Sequence, residues 1–218
     1  MAEATLLISS KNYSSWSLRG YLLARLSGID FVEERVSPDD PRAKEELLMR
    51  TSSILVPCLI HGDVTVWDTL AIAEYLNELY PEAHMLPKEK AARARCRSIS
   101  GEMHSGFSAL RSSLPMNLRF HKPGFTVWSS AQADIDRITS IWRDCLTNWK
   151  GPFLFGKHPT IADAMYAPVV TRFLSYDVAV DHLSKNFMDT IMRWAPMKEW
   201  VEDSKDEPQE IIELDLDF

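Results

Sequence analysis

Several short stretches of this chain carry residue types whose spacing could do chemistry. Ser14, Ser15 and Ser17 fall between an apolar run, Thr5–Ser9, and a helical pattern. A hydroxyl at that junction meets the free N–H groups and the positive end of a helix, which makes it either a cap or a seat for an anion. Asp68 and Thr69 hold the same position before a later helical pattern. They can cap that helix, or meet a ligand carrying both an ammonium and a carboxylate group. Val56-Pro57 places a proline within a strand pattern, where it cannot donate to the ladder and marks an edge, a turn or a special geometry. Thr160 and Asp163 have capping-box spacing and read as folding machinery. His104 lies one position off an apolar stripe at Met103 and Phe107, so its default is a solvated or hydrogen-bonded histidine. The other histidines show no metal-ligand clustering, and no metal site is expected. Cys58, Cys96 and Cys145 form no C-x-x-C pair, which excludes a CxxC redox site and a conventional zinc knuckle.

The elements that must position these residues change in character near residue 82. Thr5–Ser9 reads as a buried strand, and Leu18, Leu22 and Leu26 give a helix stopped by Gly28. Phe31–Val36 is a second strand, and Pro41–Arg50 a short helix opened by proline. Val56–Ile60, the turn His61-Gly62-Asp63 and Val64–Trp67 form a hairpin, followed by a helix over Asp68–Leu79. The order is βαβαββα, with a parallel portion and an antiparallel one. Beyond Glu89 the periodicity is helical. Ile99, Met103, Phe107, Leu110 and Leu114 predict one long amphipathic helix, and Ile135, Ile138, Trp142, Leu146 and Trp149 another. Thr160–Leu174 and Asn186–Val201 supply more, with Pro115 and Pro168 bending or ending their helices. The fold class is therefore α/β followed by all-α: an α/β domain over residues 1–82, a linker at His84–Lys88 and a helical domain over 89–204. In the tail, 205–218, Ile212, Leu214, Leu216 and Phe218 alternate with acids and predict an extended segment docked by its apolar edge.

Composition narrows the function classes. The chain has 218 residues, 45% of them apolar and 25% charged, which suits a globular protein and argues against extensive disorder. A net charge of −7 and a pI near 5.4 make nucleic acid an unlikely main partner. No apolar run approaches the ~20 residues that span a bilayer, so no membrane partner is expected. Met1–Ser10 shows no secretory pattern, and three widely spaced cysteines suit a reducing cytoplasm.

Taken in order, Ser14-Ser15-Trp16-Ser17-Leu18-Arg19, Val56-Pro57, Trp67–Leu76 and Thr160–Ala164 resemble the cytosolic glutathione transferases over nearly the whole chain. The resemblance implies a thioredoxin-like domain followed by a helical one. It implies glutathione as co-substrate, no cofactor, a hydrophobic electrophile as second substrate, and a homodimer. It makes Ser14 the thiol activator, with Tyr13 as the competing hydroxyl. Glutathione would be bound by Ser15, Leu55, the backbone of Val56 before a cis Pro57, Asp68, Thr69 and His104. The second-substrate cleft would include Met103, Phe107 and Tyr166. The serine run is similar to that of the zeta class, which usually has Cys where this chain has Trp16. Many members carry a basic or amide residue where this chain has Leu55, leaving Lys44 or Arg50 to reach the glycyl carboxylate. The expected function is conjugation of glutathione to an apolar electrophile. The alternatives are a glutathione-dependent isomerase or dehalogenase, or a binding protein with the same fold.

Overall fold

The computed structural model describes residues 2–36, 41–51, 53 and 55–207, leaving aside the side chains of residues 41, 43, 44 and 46. Strand β1 (Ala4–Ile8) is followed by α1 (Ser15–Ser27), β2 (Phe31–Arg35), α2 (Pro41–Thr51), the β3–β4 hairpin (Cys58–His61 and Val64–Val66) and α3 (Thr69–Leu79). The sheet order is β2-β1-β3-β4. β1 runs parallel to β2 and antiparallel to β3. Central β1 is buried almost throughout, whereas edge strand β2 presents Glu33, Glu34 and Arg35, charges that discourage edge-to-edge pairing.

The helical part comprises α4 (Lys90–Ser105), α5 (Ser108–Ser113), α6 (Ser129–Trp149), α7 (Ile161–Ser175), α8 (His182–Arg193) and α9 (Ala195–Lys205). Of the two long helices expected from periodicity, Ile135–Trp149 is intact within α6 and the other is divided. The Ile99–Leu114 stripe breaks at Gly106 and Phe107, the latter at φ 61°. Gly106 donates to the Glu102 carbonyl and ends α4. The Arg111 guanidinium then takes the freed carbonyls of Met103 and Gly106. Asn186–Val201 divides at Trp194, because Pro196 lies in the first turn of α9 and suits a helix start. Pro168, by contrast, sits inside α7, and Pro115 lies just past α5.

One continuous core joins the sheet-side helices to the helical bundle, with α7 buried on nearly every face at its centre. Asp163 accepts from the Thr160 N–H, as its capping-box spacing predicts, and also from the Thr160 hydroxyl and the Leu154 N–H. Burial pushes its carboxyl up to about 6, with those hydrogen bonds pulling the other way. α9 ends at Lys205, two residues before Glu207. The alternating segment Ile212–Phe218 lies outside the described residues.

Candidate functional site

The turn between β1 and α1 presents Ser14 as the N-cap of α1, in extended backbone. Its oxygen accepts from the Ser17 N–H at 3.2 Å and donates to the Ser17 hydroxyl at 2.9 Å. Ser17 Oγ also accepts from the Ser9 N–H, so the first turn of α1 is tied to the end of β1. Ser14 is half-buried, whereas Ser15 is buried and its hydroxyl accepts from Arg172 at 3.3 Å. Tyr13 is buried too, its hydroxyl 3.5 Å from Arg119 Nη2.

Asp68 caps α3, one carboxylate oxygen accepting from the Leu70 and Ala71 N–H groups. The other lies 3.1 Å from His104 Nε2. His104 Nδ1 is 3.2 Å from the hydroxyl of buried Thr69. His104 therefore spans from α4 onto the first turn of α3. Its ring also meets Trp16 edge-on, the centroids 5.2 Å apart. Asp68, Thr69, His104 and the Ser14–Trp16 turn thus form one connected rim, although 35 residues separate His104 from Thr69.

The Val56–Pro57 peptide is cis, and Gly20 on α1 comes so close that an added Cβ would stand 2.5 Å from Pro57 Cβ. That approach sets the Val56 backbone against the helix that Ser14 caps. Leu55 is 59% exposed. Arg50 forks onto Glu34, with Nη2 2.9 Å from the carboxylate, while the Lys44 side chain lies outside the described residues.

The expected second-substrate wall fares differently. Met103 and Tyr166 are buried in the core, Tyr166 donating to the Ile99 carbonyl at 3.2 Å. Phe107 is buried at the break between α4 and α5. Apolar periodicity does not distinguish a core face from a cleft face. An open cavity of about 680 Å³ instead lies past α5, lined by Arg111, Pro115, Lys122, Phe125 and Trp128 among others. No periodic pattern marked these residues; the hint was the Pro-Gly and aromatic content between Pro123 and Trp128. Burial pushes the Cys58 thiol up to about 11 and those of Cys96 and Cys145 to about 12, so none is poised as a nucleophile. Among the described residues, no cluster of His, Cys, Asp and Glu could hold a metal ion. No helix is long and apolar enough to cross a membrane.

A thioredoxin-like sheet is thus joined to a helical bundle, with two capped helix starts on one rim. Residues 13–79 match the glutathione S-transferase N-terminal domain and residues 90–203 the C-terminal domain. The chain belongs to the glutathione S-transferase family. Among curated relatives, a probable maleylacetoacetate isomerase of Caenorhabditis elegans is 28% identical, over 72% of this chain and 73% of that one. Glutathione S-transferase 1 of Dianthus caryophyllus is 27% identical, over 85% and 86%. A glutathione transferase homologue from Burkholderia, crystallised with glutathione, shares the fold at TM-score 0.72 and 22% identity, covering 94% of this chain and 99% of its own.

Proposed function

We propose that this protein activates the thiol of glutathione at Ser14 and conjugates the sulfur to an apolar electrophile. The observation that carries this reading is the half-buried Ser14 oxygen at the start of α1, on the rim it shares with Trp16, His104 and Asp68. In the resting geometry the Ser14 hydroxyl donates to Ser17. Turned toward a sulfur, it donates there instead, while Ser17 Oγ keeps the Ser9 N–H. A free thiol of pKa about 8.5 is mostly protonated at neutral pH; lowering that by two units takes roughly 2.7 kcal/mol of preference for the thiolate. The thiol proton leaves to solvent, the thiolate forms the C–S bond, and the electrophile's leaving group departs with its electron pair. The γ-glutamyl head fits Asp68 and the start of α3, and the Val56 backbone pairs with the cysteinyl portion as a short added strand. The electrophile fits the cavity beside Arg111 and Phe125. The same thiolate adding to a double bond and departing again is isomerisation, kept second by the isomerase name among the relatives.

A conjugation assay with reduced glutathione and a chloronitrobenzene tests this. Saturable, glutathione-dependent turnover is expected, and its absence overturns the reading. Ser14→Ala should raise the kinetic pKa of bound glutathione and lower kcat, with about 1 kcal/mol of stability lost from the α1 cap. If Tyr13→Phe moves that pKa and Ser14→Ala does not, the hydroxyl donor is Tyr13. We also propose a homodimer, with the first domain of one subunit facing α4 of the other. Light scattering at assay concentration should give twice the 24.9 kDa chain mass, and a monomeric mass rules it out. The three buried free thiols suit a reducing cytoplasm.

A further inference from the structure

Three guanidinium groups from three helices meet beneath the turn that carries Ser14: Arg19 of α1, Arg111 of α5 and Arg172 of α7. Arg19 donates to the Ser15 carbonyl at 3.4 Å and Arg172 to the Ser15 hydroxyl at 3.3 Å. Arg19 and Arg111 lie over the Trp16 ring at 4.7 and 4.6 Å, and both donate to the Met103 sulfur. Arg172 also donates to the Arg111 carbonyl at 3.3 Å. Arg19 is 1% exposed and Arg172 6%. Their acceptors are carbonyls, a hydroxyl and a thioether, and none of the three is ion-paired among the described residues. Burial, then the neighbouring arginines, hold Arg19 well below its ordinary value and push Arg172 down to about 10.

Burying a charge without a counter-ion is costly, and three together cost more. The guanidinium groups satisfy the carbonyls of Met165, Met103, Gly106 and Leu114, a task that neutral donors could perform without the charge. A chain with a net charge of −7 nevertheless gathers three positive charges behind the first turn of α1. Their contacts there are to Ser15 and Trp16, the two residues that follow Ser14, where the sulfur is proposed to sit. Of the other charged and titratable groups around the turn, the buried Glu207 carboxylate accepts from Ser10, Lys11 and Asn12 and is paired with Arg35. Asp68, the N-cap of α3, lies 3.1 Å from His104 of α4. Asp134 of α6 acts on Arg111 from beyond ion-pair distance, its carboxylate accepting from the Leu110 N–H. Tyr166 of α7 faces Arg19. Tyr13 and Arg119 flank the turn, and Lys11 is balanced by Glu33 and Asp203 on its far side.

We propose that this three-arginine cluster is the charge source that keeps the thiol of bound glutathione ionised, acting through the first turn of α1 without touching the sulfur. The inference rests on the glutathione-activating reading above and extends it to residues outside the Ser14 contact. Arg111, half-buried and the most accessible of the three, is the member to vary. The experiment follows the ultraviolet thiolate absorbance of the enzyme–glutathione complex against pH for wild type, Arg111→Lys and Arg111→Gln. Arg111→Gln should raise the bound-thiol pKa by about one unit, or about tenfold less thiolate at a fixed pH below it. Its kcat should fall by a similar factor there and recover at alkaline pH, with the glutathione KM little changed. Arg111→Lys, which keeps the charge, should titrate like wild type. A folded Arg111→Gln protein titrating like wild type overturns the proposal, as does Arg111→Lys behaving like Arg111→Gln. Should Arg111→Gln fail to fold, Ser14→Ala decides. A bound thiol that still titrates below free glutathione supports a second charge source, and one at the free value leaves the cluster no role. Wild-type protein that shows no thiolate band at any pH, and no glutathione binding, brings down the glutathione reading itself.

Discussion

Ser14 and Asp68 each hold the start of a helix with the same side chain that the proposed chemistry uses. One Asp68 oxygen accepts two N–H groups of α3 while the other faces His104. These tasks separate by mutation. Asn caps a helix nearly as well as Asp but carries no charge. Asp68→Asn should therefore keep the melting temperature and raise the glutathione KM several-fold, whereas Asp68→Ala should also cost about 1 kcal/mol of stability. Steady-state kinetics beside a denaturant melt read both, and an unchanged KM in Asp68→Asn leaves Asp68 as a cap only. At this scale the sequence was informative wherever a residue acts within one helical turn of itself. It named Ser15 and Thr69 as glutathione-binding but did not show that their hydroxyls meet Arg172 and His104.

Helix α1 shows how an element can be set by one small residue. Gly in a helix interior costs about 1 kcal/mol relative to Ala, so helix propensity alone says that Gly20→Ala stabilises. The contact says the reverse: the new Cβ would press on Pro57 Cβ and Cγ at 2.5 and 2.7 Å. Overpacking of this kind costs about 1–3 kcal/mol, and relief requires α1 and the Val56–Pro57 segment to part. Gly20→Ala should thus melt lower and bind glutathione more weakly, measured by denaturant titration and KM; a variant more stable than wild type refutes the packing argument. The same lesson applies to α4 and α5. Their apolar stripe continues across Gly106 and Phe107, yet the backbone breaks there, and Arg111 takes the carbonyls left open.

For the molecule as a whole, the fully buried Glu207 carboxylate closes the chain on itself. It accepts from the Ser10 hydroxyl at 2.6 Å and from the N–H groups of Lys11 and Asn12 at 3.0 and 2.9 Å. It also pairs with Arg35 at 3.1 Å, while its carbonyl accepts from Arg119. The β1–α1 loop is thereby fastened to the segment after α9, 197 residues away from Ser10. Glu207→Ala leaves those donors buried without a partner, which should cost about 2–4 kcal/mol. Thermal melts check this, and a melting temperature within a degree of wild type would show that water replaces the carboxylate.

The sequence by itself determined the βαβαββα order of the first domain, the helix starts at Ser14 and Asp68 and the Thr160–Asp163 box. Each depends on side chains acting on backbone within a turn or a strand step, where spacing along the chain equals spacing in space. Only the tertiary structure decided that His104 reaches Asp68, that Met103 and Tyr166 lie in the core, and that a stripe read as one helix is two. It alone brought Arg19, Arg111 and Arg172 under one turn and Glu207 against Ser10. Arg19 finds its carbonyl at Met165, 146 residues on. At such separations the partner is selected by how α1 and α7 pack face to face, and no local periodicity records that choice.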